Sequence, residues 1–345
     1  MNPESDSGQT RDFSHYKPSE QRDKCCTKEV NPGCFMEFEQ AEFLAQNPLK
    51  FKSTQEAFKQ VYNCVHCNAC KTSNSRYALK RKLHADGFQS DDTLAMVACF
   101  KQFGFPFNRP KYRVKVPPNV PKESDTLLFL GCLSGIMLPE FTLHAIEYLL
   151  SKGVDFTILD KETCCGIPLL DSGETEVLAE CIQTNTDIFN TRFKKIICLC
   201  PACYDVFLSY YKGLKPEIIF IADLFEPLLT KRTESVSIQH LCQMEYRGRP
   251  DLSKKVDNVL QASGYRIMEN EKLWCCGGGM GIMHIPKTID AVARIRIQDF
   301  HGDILTTYCV SCFQILREYA HKEKIAPQLV DTFKLLTEKR TIIDT

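Results

Sequence analysis

Ten cysteines between residues 132 and 312 fall into two copies of one spacing, and this duplication constrains the chain more than any other feature. The first copy has Cys132, then the adjacent pair Cys164 and Cys165, then Cys200 and Cys203 in "CPAC". The second has Cys242, then the adjacent pair Cys275 and Cys276, then Cys309 and Cys312 in "CVSC". From each cysteine to its equivalent the offset is nearly constant, the same for both members of the adjacent pair. Five positions recurring in this way mark an internal repeat.

The sequence between the cysteines repeats as well. Each first cysteine closes a strand-like run, "DTLLFLGC" or "ESVSIQHLC". Helices are expected over 137–152 and 250–263, ending near Gly153 and Gly264. Short strands, "DFTILD" and "YRIMEN", lead to the paired cysteines. Second helices over 174–192 and 286–300 lead to "KKIICLC" and "GDILTTYC". Alternating strands and helices predict an α/β unit with a parallel sheet in each copy. Ligands of open α/β sheets gather beyond the carboxyl ends of the strands. The first Cys and the Cys-x-x-Cys of each copy sit at such ends, and the adjacent pair lies just beyond one. Five thiols are therefore expected on one rim of each unit, with the two units facing each other.

The chain has 345 residues, enough for two to three domains and a real core. We divide it into a flexible polar tail (1–24), a front domain (25–122) and the two repeat units (123–230 and 231–345). Lys and Arg balance Asp and Glu at zero net charge, and no basic stripe stands out, so nucleic acid is not expected as a partner. The longest apolar runs are strand-length, and the polar start does not read as a secretion signal. A cytoplasmic location follows, with membrane contact only through a partner. There thiols stay reduced, so 19 cysteines point to metal or redox chemistry rather than a disulfide framework.

A structural zinc site takes four ligands, often from two Cys-x-x-Cys pairs. Each copy instead offers one such pair, an adjacent pair and a lone Cys. Adjacent thiolates diverge, which suits different irons of a multinuclear cluster better than one ion, and soft thiolates suit iron–sulfur chemistry. Zinc is the competing reading. Gly166 after the first pair, and Gly277, Gly278 and Gly279 after the second, lack a Cβ, so backbone can approach an inorganic core and aim N–H groups at sulfide.

Over residues 124 to 340 this pattern resembles the cysteine-rich "CCG" domain family, typified by heterodisulfide reductase and its fused relatives. The resemblance implies two Rossmann-like, pseudo-symmetric units behind a mainly helical, ferredoxin-like domain. It implies a noncubane [4Fe-4S] cluster on Cys132, Cys164, Cys165, Cys200 and Cys203, and a second on Cys242, Cys275, Cys276, Cys309 and Cys312. A small disulfide would be cleaved reversibly between the two clusters, which makes these ten cysteines the catalytic set. The chain departs from the family in two places. "QHLCQ" stands where members often carry an "HDPCH"-like stretch, leaving His240 as the candidate stand-in, and Val310 in the second Cys-x-x-Cys faces Pro201 in the first.

In the front third, "NCVHCNAC" places Cys64, Cys67 and Cys70 at ferredoxin spacing, with Asn74 where the fourth Cys would stand. One further [4Fe-4S] cluster is expected there. Its fourth ligand is sought among Cys25, Cys26, Cys34 and Cys99, with Cys34 and Cys99 leading, and zinc on the same thiols is the competitor. That cluster would relay electrons from a flavoprotein or another iron–sulfur subunit. The expected activity is that of a sulfur-group oxidoreductase subunit. The alternatives are a non-catalytic electron-transfer subunit of a glycolate- or lactate-type dehydrogenase and a zinc-stabilised scaffold. Cys181 and Cys198 read as small buried hydrophobes, and His66 as a residue beside the front ligands.

Overall fold

The computed structural model describes residues 11–12, 50–51, 62, 66–67, 73–108, 114–269, 275–279, 286–323 and 328–338. Cys25, Cys26, Cys34, Cys64 and Cys70 lie outside the described residues. The ligand expectations placed on them therefore lie outside as well.

Two short strands, β1 (Arg11–Asp12) and β2 (Lys50–Phe51), pair antiparallel. Helices α1 (Ser73–Ala85) and α2 (Asp91–Phe103) follow. Ser90 Oγ caps α2 by accepting from the Thr93 N–H at 3.1 Å, and Gly104 ends it in the left-handed region at φ 78°.

The first copy runs β3 (Thr126–Phe129), a π-helical turn (Leu133–Met137), α3 (Pro139–Ser151), α4 (Ile167–Ser172), α5 (Glu176–Arg192), β4 (Lys195–Cys198), α6 (Pro201–Tyr210) and β5 (Glu217–Phe220). The second runs β6 (Ser235–Gln239), α7 (Cys242–Glu245), α8 (Asp251–Ala262), β7 (Arg266–Met268), α9 (Pro286–Gln298), β8 (Ile304–Thr307), α10 (Val310–Glu323), β9 (Gln328–Asp331) and α11 (Thr332–Leu335). The fold is mixed α/β with parallel sheets.

The first sheet has the order β3-β4-β5, all parallel, with Leu127 opposite Ile196 and Ile196 opposite Ile218. The second has the order β7-β6-β8-β9, also parallel. The expected strand in "DFTILD" shrinks to one parallel bridge, Thr157 to Leu127. The Thr157 N–H and C=O each make one 2.9 Å bond to β3, and its hydroxyl turns away to Pro121 O at 2.8 Å. Counting that bridge, strand order is the same in both sheets. Every residue of β3, β6 and β8 is buried, as expected of parallel strands covered on both faces.

The two copies share one apolar core. Phe141 of α3 meets Phe313 of α10 and Phe333 of α11, with ring centroids 5.4 and 5.2 Å apart. Alongside, His144 Nδ1 lies 2.6 Å from Asp331 Oδ2, both buried. The front helices pack on the first copy, α1 against α4 and α2 against α5. Tyr62 donates to the Ser172 carbonyl at 2.9 Å. Among the described residues no helix is long and apolar enough to cross a membrane.

Candidate metal centres

Parallel strands deliver the thiols to one end of each sheet. Cys132 and Cys242 each follow a buried strand and open a helical turn. Cys200 is the N-cap of α6, Cys309 immediately precedes α10, and Cys203 and Cys312 stand in the first turns of those helices.

Within each copy the five thiols touch in the same order. Cys132 meets Cys164, which meets Cys165, which meets Cys203, which meets Cys200. In the second copy the order is Cys242, Cys275, Cys276, Cys312, Cys309, with 3.6 Å between Cys242 Sγ and Cys275 Sγ. All ten are buried free thiols.

The central thiol of each series is the one whose ionised form its neighbours favour. Hydrogen bonds from Cys164 and Cys203, with help from the Ile167 N–H, hold Cys165 well below the usual thiol range. Cys275 and Cys312, with the Gly278 N–H and the Arg296 charge, do the same for Cys276. Burial and these same contacts push Cys164 up, donation to the central thiol pushes up Cys203 and Cys312, and the bonds to Cys242 and then Cys276 push up Cys275.

The glycines divide by role. Gly166 (φ 90°) and Gly277 (φ 87°) occupy the left-handed turn that follows each cysteine pair. A Cβ on Gly166 would sit 2.6 Å from Leu178 Cδ1, and one on Gly277 would sit 3.1 Å from Val292 Cβ. Their bareness thus lets the turn lie against helices α5 and α9. Backbone does reach sulfur in the second copy, with Gly277 N 3.4 Å from Cys275 Sγ and Gly278 N 3.3 Å from Cys276 Sγ. Gly131, which the sequence pattern did not single out, lies where a Cβ would come within 3.2 Å of Cys203 Sγ.

Cys67 is buried in a cluster with Cys242, Cys275 and Val292, so the front segment brings a sixth thiol to the second set. Cys99 is half-buried on α2 and is not part of that cluster. Cys181 donates to the Cys164 carbonyl at 2.7 Å, and burial pushes its thiol up to about 12. Cys198 lies wholly inside β4. His240 is held by Tyr308 and Asp257, each at 3.1 Å.

A pocket with about 40 Å³ of enclosed space opens onto the second set, and all five of its cysteines line it. Ile167, Asp171 and Pro201 of the first copy face them, together with His66 and Tyr77 from the front. Sequence reasoning placed His66 beside the front ligands and missed Tyr77 and Asp171. His66 adopts a left-handed φ of 51° and stacks on Tyr77 at 4.9 Å between centroids. Its Nε2 lies 2.7 Å from Lys80 Nζ, and since an ammonium only donates, that nitrogen accepts and the ring proton is assigned to Nδ1. A left-handed non-glycine residue costs about 1–3 kcal/mol and persists where its surroundings hold it. Burial raises the Asp171 carboxyl to about 6, although Lys80 and Arg247 pull the other way.

As a donor set, ten buried thiols in two contact series fit iron–sulfur groups. The donors are all soft, the central thiol of each series is favoured in its ionised form, and backbone N–H groups reach sulfur. Among the described residues no three His, Cys, Asp or Glu side chains are placed to hold one metal ion. Extended series of thiols suit several irons rather than a single ion.

Fold and site together define an α/β protein with a duplicated five-thiol site. Residues 126–207 and 236–317 each match the cysteine-rich domain family (CCG), and the chain belongs to that family with two copies of the domain. It is 22% identical over 288 residues to an uncharacterized iron–sulfur protein of Methanococcus maripaludis, covering 76% of this chain and 58% of that one. A counterpart in Methanocaldococcus jannaschii is 23% identical over 282 residues with the same coverage. A subunit of the CoM/CoB fumarate reductase of Methanothermobacter marburgensis is 22% identical over 207 residues, 56% of this chain and 42% of that one. The chain therefore spans 58% or less of the length of these relatives.

Proposed function

We propose that this chain is an iron–sulfur oxidoreductase subunit that interconverts a small disulfide and its thiols. The observation that carries the reading is the pair of buried five-thiol series, one of them walling a pocket. Cys132, Cys164, Cys165, Cys200 and Cys203 hold one noncubane [4Fe-4S] cluster, and Cys242, Cys275, Cys276, Cys309 and Cys312 hold the other. Each cluster, when bound, supplies or accepts one electron at a time.

Reduction breaks one S–S bond, and each sulfur takes one electron and one proton to leave as a thiol. The protein's own part is to ligate, to orient the disulfide between its two copies and to keep water from the buried sulfurs. We assign residues 25–122 to a relay domain with a further [4Fe-4S] cluster on Cys64, Cys67 and Cys70, and 123–230 and 231–345 to one thiol site each. The names of the relatives support iron–sulfur binding, and the reductase subunit among them supports work within a complex. Electrons then pass to or from a flavoprotein or another iron–sulfur subunit.

Protein prepared without oxygen should contain iron and acid-labile sulfide, show paramagnetic signals after one-electron reduction, and oxidise reduced viologen when a disulfide is added. Zinc in place of iron sinks the reading. An iron-replete protein that reduces no disulfide in a broad panel is an electron relay instead.

A further inference from the structure

The duplication predicts two equivalent sites, yet the charges buried beside them are opposite. Beside the first set stands Glu162, 1% exposed, whose two carboxylate oxygens accept from the Leu130 and Gly131 N–H groups at 3.1 Å each, just before Cys132. At the offset that relates the paired cysteines, the second copy has Leu273 in that place. Near the second set, bonded to Gln239 just ahead of Cys242 and with its charge felt at Cys276, stands Arg296 of α9, also 1% exposed. Its Nε donates to Gln239 Oε1 at 2.6 Å, and its guanidinium lies 4.1 Å from the Phe300 ring centroid. The same offset places neutral Asn185 at the equivalent point of the first copy, where its amide binds the Cys164 carbonyl at 3.1 Å. Burial lowers Arg296 only to about 10, so it stays a cation at neutral pH. Asp299 takes its Nη1 at 2.7 Å and offsets part of that charge.

The pocket breaks the equivalence in the same direction. All five second-set cysteines line it and no described first-set cysteine does. Cys67 of the front segment also packs against Cys242 and Cys275, not against the first set.

We infer that the two sites are unequal: Arg296 makes the second the more easily reduced one, and that site meets the sulfur of the substrate. This rests on the iron–sulfur reading above. A buried cation favours the more negative, reduced state of a neighbouring group, and a buried carboxylate disfavours it. Glu162 and Arg296 therefore act through the clusters as positioned charges and touch no substrate. The second site takes the first electron, and the first site, backed by Glu162, gives up its electron more readily.

The test is a redox titration of the anaerobic, iron-replete full chain, followed by paramagnetic resonance. The wild type should show two separated reduction steps for the CCG sites. Arg296→Gln should move the higher step alone to more negative potential, changing the reduced-to-oxidised ratio at fixed potential by about tenfold, as a unit charge does across a partly buried site. Arg296→Lys should restore it. Glu162→Gln should raise the lower step, and a small thiol such as 2-mercaptoethanol should perturb only the signal that Arg296→Gln shifts. Coincident steps in the wild type, or a higher step unmoved in iron-replete Arg296→Gln, overturn the inference. So does a thiol effect on the other signal. Should Arg296→Gln fail to hold iron, the Glu162→Gln step decides, upward for the inference and unmoved against it. Protein that never binds iron overturns the iron–sulfur reading itself, a result distinct from all of these.

Discussion

The pocket exists only while the two copies keep their relative placement, and the buried His144–Asp331 pair is a clamp on that placement. Nδ1 of His144 on α3 lies 2.6 Å from Oδ2 of Asp331 at the end of β9, with side chains 9% and 2% exposed. Burial alone would lower the imidazole, but the hydrogen bond to Asp331 and its charge outweigh it, so His144 is raised above its ordinary value. Glu140 on the same helix adds to the rise, and Lys334 of α11 opposes it. A raised folded value means the imidazolium is bound more tightly in the folded state. Its stabilisation is complete below the unfolded value, near 6.5, and is lost as pH climbs through the raised folded one. Removing one partner of a buried pair costs about 3–5 kcal/mol. His144→Gln should cost less, because Gln can still donate and Asp331 keeps its cap bond to the Lys334 N–H at 3.0 Å. A charge-assisted hydrogen bond contributes about 1.5–3 kcal/mol, so about 2 kcal/mol at pH 6 is expected, or about 4 °C in Tm. By pH 9 the gap between wild type and variant should fall by more than half. The assay is anaerobic thermal unfolding of the full chain at matched iron content from pH 6 to 9. A gap that stays constant, or widens with pH, refutes the clamp.

Three further outcomes follow from the site. Cys276→Ser removes the central sulfur of the second series and should abolish one site's share of the iron, whereas Cys181→Ser, whose thiol donates to the Cys164 carbonyl, should keep the full iron content by colorimetric assay. Gly277→Ala must hold φ near +87° with its new Cβ 3.1 Å from Val292, so it should destabilise by about 1–3 kcal/mol in denaturant unfolding. Tyr77→Phe deletes the hydroxyl that bonds to buried Asp171 and Arg247 beside the pocket, and should lower stability by about 1–3 kcal/mol in denaturant unfolding while iron content holds.

How far the sequence could be read depended on whether a feature is local in the chain. Strands of four or five apolar residues and helices closed by glycine announce themselves over ten or twenty positions. Accordingly α3, expected over 137–152, runs Pro139–Ser151, and α9, expected over 286–300, runs Pro286–Gln298. The ten cysteines were legible for a related reason, because a duplication prints the same spacing twice and each copy checks the other. The polar wall was not legible. His66 was marked only as a neighbour of the front cysteines, Tyr77 and Asp171 show no period and no motif, and the Tyr62 to Ser172 bond that ties their segments together spans 110 positions. The spacing of Cys67 relates it to Cys64 and Cys70 and says nothing of Cys242 and Cys275, whose buried cluster it joins through the fold.

Duplication also hides what it does not copy. A repeat is recognised by the positions that match, so attention falls on the ten sulfurs and passes over Glu162 and Arg296, whose counterparts Leu273 and Asn185 are uncharged. Yet two identical centres on either side of a pocket would have no reason to pass an electron one way. A reaction that moves two electrons through two one-electron sites needs an order of filling. That order has to come from residues outside the repeated pattern. In this chain the buried charges, the pocket lining and the contact of Cys67 all fall on the same side of the comparison. On the inference drawn above, a single choice between the two copies, made at unmatched positions, would give a duplicated scaffold its direction.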